Sequence, residues 1–255
     1  MGFLKNHRPL YDLYPYSDWK KYASTTTELD NLFKIFHSLP KEWIEWIEER
    51  VENAIKRNIV INNPLDYRMS ILENGIIFLQ EAKYICDLCE NVLRQMIFSH
   101  IAQYELTFEY FSNLRIYEWG ATLRKYERDY DYVVIDTDII EDDFIMTLSF
   151  SQITAIISRG WKPNHWNRKN IVGYGSFFFN DSRCREYIRF EKDMKYMKGK
   201  RNMIAHSKQL FSQENVQVMF EIANLWLSPL GVNVPEKVLQ YRKHRPHFLK
   251  ELLID

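Results

Sequence analysis

Apolar positions recur at three- and four-residue intervals along most of the chain, a spacing that predicts helices. The clearest run is Ile85, Leu88, Cys89, Val92, Leu93, Met96, Ile97, His100, Ile101 and Tyr104. It keeps one face for about five turns inside a helical signal from about 66 to 117, and reads as the spine of a bundle. Upstream, Thr25-Thr-Thr-Glu28 has the capping-box pattern, with Leu29, Leu32, Phe33 and Phe36 behind it. Pro40 suits the first position of the next helix, whose predicted buried face is Trp43, Ile44, Ile47, Val51, Ala54 and Ile55. Leu148, Phe150, Ile153, Ile156 and Ile157 predict a helix that stops near Gly160. A charged helix is expected over about 181–198, closed by Gly199 as a C-cap. A short helix around 201–210 and a longer one at 213–227 should follow, the latter burying Val216, Met219, Phe220, Ala223, Trp226 and Leu227. Tyr132-Val-Val-Ile135 is a candidate extended piece. The expected class is all-α.

The 255 residues make one large domain or two small ones, at roughly 150 residues per domain. Residues 1–60 read as an N-terminal arm and helical extension, 61–230 as the main helical domain, and 231–255 as a basic tail containing Arg242-Lys-His-Arg-Pro-His247. No repeat stands out at periods of roughly 20–50 residues.

Composition sharpens this picture. With 46% hydrophobic and 27% charged residues, the chain has enough apolar surface to exclude wholesale disorder. Lys+Arg and Asp+Glu balance at 34 each, so net charge points to no polyanionic partner. The distribution is more informative. Residues 127–143 carry eight acids against Arg128, whereas 183–208 carry nine Lys/Arg against Glu186, Glu191 and Asp193. A local basic segment can hold phosphates even when the whole chain is neutral.

Three cysteines do not make a disulfide framework. Cys86-Asp-Leu-Cys89 lies in a helical pattern, and His100 would sit roughly 16 Å further along the axis, too far to close a zinc site. No metal or other cofactor is expected. The first residues lack a long apolar segment, so no signal peptide is expected, and Asn6 lacks the hydroxyl of a myristoylation motif. No apolar run approaches the ~18 residues of a membrane span. A cytoplasmic location, away from membranes, is the expectation.

The sharpest chemistry lies in Arg201-Asn-Met-Ile-Ala-His206. Asn202 and His206 are four apart and share a helix face, and Arg201 can swing toward it. If Arg201 leads a helix, free N–H groups and the positive dipole end join the guanidinium, amide and imidazole as a phosphate site. The bland alternative has Asn202 capping a turn, Arg201 paired with an acid and His206 packed half-buried. Arg–x4–6–His alone is weak, since Arg94/His100, Arg159/His165 and Arg242/His247 also match. What distinguishes this copy is Asn directly after Arg and the small Ala205 before His.

The R-N-x-x-A-H form resembles the signature of the HEPN superfamily of helical ribonucleases. Glu90-Asn-Val-Leu-Arg-Gln-Met-Ile-Phe-Ser-His100 looks like the core helix of the Abi-like, or abortive-infection, branch. Leu148-Ser-Phe-Ser-Gln-Ile153 is similar to that branch's Leu-Ser-Phe-Gly segment, with Ser151 replacing the usual Gly. The resemblance covers roughly residues 75–225, and residues 1–60 do not match the branch's usual start. It implies a HEPN-type helical bundle and metal-independent RNA cleavage by Arg201, Asn202 and His206. It also implies a homodimer, because one motif supplies one imidazole while cleavage needs a base and an acid. A restraining antitoxin, whether protein or small RNA, is the further partner implied. A silent HEPN-type module that binds RNA or protein is the rival.

Glu90 and Arg94 are i, i+4 and could simply form a helix-face ion pair; His100, in the apolar stripe, reads first as a satisfied core histidine. Alternatively these three line the cleft beside the main motif. Lys198, Lys200 and Lys208 are candidate RNA contacts near the motif. Lys162, Trp166, Arg168 and Lys169, interleaved with Trp161 and His165, form a basic-aromatic mixture suited to single-stranded RNA. A loop that uses its tryptophans as packing anchors is the alternative, and Phe177–Phe179 read as core. Asp136-x-Asp138 and Asp142-Asp143 read as a solvated loop or a foil for basic residues rather than an ion site.

Overall fold

A computed structural model describes residues 39–161, 173–178, 184–206 and 210–244. Among these residues the chain is all-α, with helices and no strand. The helices are α1 Lys41–Lys56, α2 Pro64–Tyr104, α3 Phe108–Asn113, α4 Trp119–Tyr130 and α5 Asp142–Thr147. They continue as α6 Phe150–Arg159, α7 Gly175–Phe178, α8 Cys184–Ala205, α9 Gln213–Leu227 and α10 Val234–His244, with a 3-10 turn at Ser228–Leu230. Residues 132–135 are irregular, and the described extended pairing is one antiparallel bridge, Thr107 to Ile139. No helix among the described residues is long and apolar enough to cross a membrane. The Thr25–Phe36 helix expected near the N-terminus lies outside the described residues.

By compactness the chain divides into two units, one of residues 1–83, 202–217 and 240–255, the other of residues 84–201 and 218–239.

In the first unit, Pro40 caps α1 from just outside it. The buried face is rotated from the expected one: Trp46, Ile47, Val51 and Ala54 are inside, while Ile55 is 60% exposed. The apolar residues of α1 wrap more than one face, and the choice falls to what packs against it. Glu48 on α1 takes Arg68 of α2 in a two-pronged ion pair, both bonds 2.7 Å. Asn63 caps α2, its side-chain oxygen accepting from the Leu65 and Asp66 amides at 3.0 and 3.1 Å. Glu81, almost wholly buried, holds Arg242 of α10 by bonds of 3.0 and 2.6 Å. Residues 234–244, expected as a tail, are therefore a helix.

In the second unit, α2 stops at Tyr104 rather than near 117, because Glu105 takes φ +50° and turns the chain into α3. Leu106 and Phe108 bury beyond that turn, so the apolar signal runs on through it. Two aromatic clusters fill the interior. Phe108, Phe111, Trp119, Tyr126 and Phe144 form one. Trp161 stacks on Phe178 with centroids 5.3 Å apart and meets Trp226 edge-on, and Phe190 completes the other. The Trp226 indole N–H donates to Asp193 at 2.9 Å. Trp161 is thus a packing anchor, closed to a nucleic-acid base, and Phe178 is core.

Two glycines let this interior close. A Cβ on Gly160 would come within 2.7 Å of the Tyr174 ring, and one on Gly175 within 2.6 Å of the Trp161 indole. Backbone bonds Tyr174 N–H to Gly160 O and Gly175 N–H to Trp161 O, 2.9 and 3.0 Å, hold that approach.

Gly199 is no C-cap. Helix α8 runs through it to Ala205, with nothing within 4 Å of where its Cβ would lie. The stripe Phe190, Met194, Met197, Arg201, Ile204 keeps its 3-4 spacing across the glycine. One helix glycine costs only ~1 kcal/mol, too little to end a helix that buries residues beside it. Gly199→Ala should therefore raise stability by about 0.5–1 kcal/mol, whereas Gly175→Ala should lower it by about 1–3 kcal/mol through overpacking. Urea denaturation of both variants checks the opposite signs; a destabilising Gly199→Ala would place a helix break at 199 after all.

Candidate functional site

The last turns of α8 carry the sequence motif, and α8 and α2 place its arginine. Arg201 sits on the stripe side of α8 with 42% of its side chain exposed, its Nη2 lying 3.6 Å from Glu90 Oε2. The other oxygen of Glu90 accepts from Arg94 Nη2 at 2.8 Å. Both groups are largely buried, with 15% and 8% of their side chains exposed. Arg94 Nη1 donates to the carbonyl of Ile145 on α5, and Arg94 Nε is buried with no partner among the described residues. One carboxylate thus faces two guanidiniums, leaving the trio one positive charge in excess.

A second contact ties in the 148–153 stretch. Ser149 and Gln152 form a capping box at the start of α6, with Ser149 Oγ accepting from the Gln152 amide and Gln152 Oε1 from the Ser149 amide. This sets Ser151 in the first turn, where its Oγ accepts from Lys198 Nζ. The residue that departs from the resembled Gly is therefore used. Lys200 lies 5.4 Å from the centre of the Tyr196 ring, and burial presses its pKa down.

Asn202 and His206 are both exposed. The His206 amide donates to the Asn202 carbonyl at 3.2 Å, the closing bond of the helix. This overturns the expectation that Arg201 leads a helix. The motif closes one, so it stands where free carbonyls and the negative dipole end gather. Helix N–H groups are unavailable there, and a phosphate would have to be met by side chains. The alternative in which Arg201 pairs with an acid describes its contact with Glu90; the half-buried packing proposed with it for His206 does not hold.

His100 stands apart from Glu90 and Arg94. It is fully buried, packed edge-on against Tyr104 and Tyr174 with Phe177 beside it, at centroid distances of 4.9, 4.2 and 5.3 Å. Neither ring nitrogen has a partner among the described residues. It is a core histidine, but not a satisfied one, and burial depresses its pKa to about 4. Cys86 and Cys89 are buried free thiols. Burial, then Asp87 and Glu90, raises Cys86 to about 12 against the pull of Arg201, and burial raises Cys89 too.

The acidic segment shapes its own loop. Asp138 accepts from the Tyr132 hydroxyl at 2.7 Å and the Ile135 amide at 3.3 Å, and Glu127 from the Val134 amide at 3.1 Å. Lys162, Trp166, Arg168, Lys169 and Lys208 lie outside the described residues. Comparison of the chain with protein-family models, curated proteins and solved structures found no match.

The buried imidazole gives stability a pH dependence. His100 binds its proton more weakly folded than unfolded, so acid favours unfolding. Stability attributable to it is intact above pH 6.5 and falls by about 3 kcal/mol as pH drops to about 4. Denaturant titrations of wild type and His100→Leu at pH 7 and pH 4.5 check this: the variant should lose clearly less stability on acidification. Equal losses would show that His100 does not resist protonation.

Proposed function

We propose that the chain is a metal-independent endoribonuclease of HEPN type, working in the cytoplasm as an abortive-infection toxin on cellular or phage RNA. The observation that carries this reading is the meeting of Arg201 with Glu90 and Arg94, reinforced by the bond from Lys198 to Ser151. The first contact joins the Glu90–His100 stretch to the Arg201–His206 motif, and the second brings the Leu148–Ile153 stretch to the same helix, α8, through Lys198.

The chemistry follows from the residue types. A base takes the proton of an RNA 2′-hydroxyl, whose oxygen attacks the adjacent phosphorus. The P–O5′ bond breaks and the leaving oxygen takes a proton, giving a 2′,3′-cyclic phosphate and a 5′-hydroxyl. His206, exposed at the end of α8, serves as base or acid, a role contributing about 10²–10⁴-fold. Arg201 turns donors not engaged by Glu90 toward the phosphoryl oxygens as charge builds on them. Asn202 orients the phosphate or the imidazole. One chain supplies one such imidazole, so a second copy brings the other in a homodimer. An antitoxin, protein or small RNA, restrains the pair.

The rival reading, a silent module that binds RNA or protein, is favoured by one feature: Arg201 is already engaged by Glu90. Cleavage of mixed RNA in EDTA, by protein freed of co-purifying nucleic acid, separates the two. Wild type should release cyclic-phosphate ends, with His206→Ala and Arg201→Ala at least about 100-fold slower. Equal activity in His206→Ala would remove that residue from the chemistry. No cleavage by any form, with salt-sensitive RNA binding retained, would leave the binding module.

A further inference from the structure

The first unit holds a cleft of about 720 Å³, lined by α1, the start of α2 and the start of α9. That volume is within the roughly 300–1,000 Å³ of small-molecule sites. Arg50 and Arg57 reach it from α1, with Asn53 between them, Tyr67 from α2, and Gln213 and Glu214 from α9. We infer that this cleft binds a small phosphate-bearing ligand of nucleotide size, Arg50 and Arg57 holding the phosphates while Tyr67 and Asn53 receive the remainder.

The argument rests on how the arginines of this unit are used. Arg68 and Arg242 are each closed by a two-pronged carboxylate, Glu48 and Glu81 respectively. The Arg50 guanidinium instead sits over the Trp46 ring, its carbon 3.6 Å from the ring centre. Stacking fixes where a guanidinium points without using its N–H donors. Arg57 is exposed and has no ion-pair or hydrogen-bond partner for its side chain among the described residues. The two are seven residues apart, hence on one face of α1 and roughly 10 Å apart along it, a separation that two long side chains can close around a phosphate chain. Glu214 is the one acid among the lining residues, so the lining is net positive. The Gln213 and Glu214 amides, having no carbonyl a turn earlier in the helix, add donors on the facing side, while the Asn215 and Val216 amides are taken by the Ser212 hydroxyl and carbonyl. Tyr67 adds an aromatic ring to the lining and Asn53 and Gln213 add amides, the mixture that a sugar and base require. A bare anion site would need neither.

Calorimetric titration of the full chain with ADP, AMP, adenosine and pyrophosphate tests this. ADP should bind saturably, with adenosine at least about ten-fold weaker. Arg57→Gln, at an exposed position, should weaken ADP about ten-fold, and Glu214→Gln should tighten it by removing the opposing charge. Arg50→Gln should weaken it further; Arg57→Gln decides the matter alone if that variant folds poorly. No saturable ADP binding, or ADP binding indifferent to Arg57→Gln, overturns the site. Pyrophosphate binding as tightly as ADP, or an RNA oligonucleotide binding through Arg57 where ADP does not, overturns the nucleotide-sized ligand. His206→Ala should leave ADP binding unchanged, so this site and the proposed nuclease stand or fall separately.

Discussion

The carboxylate of Glu90 is the contact on which the second unit's polar interior depends. Arg94 is a charge taken almost wholly out of water, and such a charge is tolerated only when paired and hydrogen-bonded. Glu90 supplies the pair and the Ile145 carbonyl supplies the bond. The second oxygen of Glu90 is then spare, and it faces Arg201 across a longer 3.6 Å gap. The inner contact is therefore tight and buried while the outer one is loose and half-exposed. A guanidinium held this way is kept in place but not used up, as a residue that must also meet a substrate requires. The same geometry would serve a purely structural pair, and for that reason activity rather than geometry has to separate the two readings.

The direction of α8 changes what the motif can do. At the start of a helix, phosphate is met by amides that need no side chain. At the end of one, the backbone presents carbonyls, and binding depends wholly on cations from side chains. Arg201, Lys198 and Lys200 all belong to those last turns, so the helix supplies by side chain what its backbone withholds. The start of α9 is the reverse case, amides and arginines acting together in the first unit. The two proposed anion sites, built on opposite helix ends, should differ in selectivity. Side chains adapt to an extended backbone such as RNA, whereas fixed amides suit a compact phosphate.

The periodicity of apolar residues made much of this legible. The α2 stripe through Ile85, Cys89, Leu93, Met96, Ile97, His100 and Ile101 is buried as spaced, and so is the α9 stripe through Val216, Met219, Ala223, Trp226 and Leu227. The rotated face of α1 was not legible, because its apolar residues fit more than one stripe and only packing chooses Trp46 over Ile55. The helix through Gly199 could have been read: the stripe from Phe190 to Ile204 keeps its phase across the glycine, and it outweighs one cap signal. The cleft between Arg50 and Arg57 left no motif at all. Its residues come from the neighbouring helices α1 and α2 and from the distant start of α9, and the spare guanidiniums are recognisable only once Glu48 and Glu81 are seen to be occupied elsewhere.

His100 shows why a pattern can place a residue without explaining it. An imidazole on an apolar stripe predicts burial, and burial follows. Hydrogen bonding does not follow, because that depends on which groups approach from other helices; here Tyr104, Tyr174 and Phe177 bring rings. The ring is then retained as a flat, polarisable packing unit, at the cost of tolerance to acid. A histidine with so low a pKa cannot take up a proton near neutrality. It is therefore unsuited to supply the second imidazole that RNA cleavage needs, even though it belongs to the same resembled stretch as Glu90 and Arg94. On the proposed nuclease reading the second imidazole has to come from elsewhere, and His206 of a second copy is the source that the proposed dimer offers.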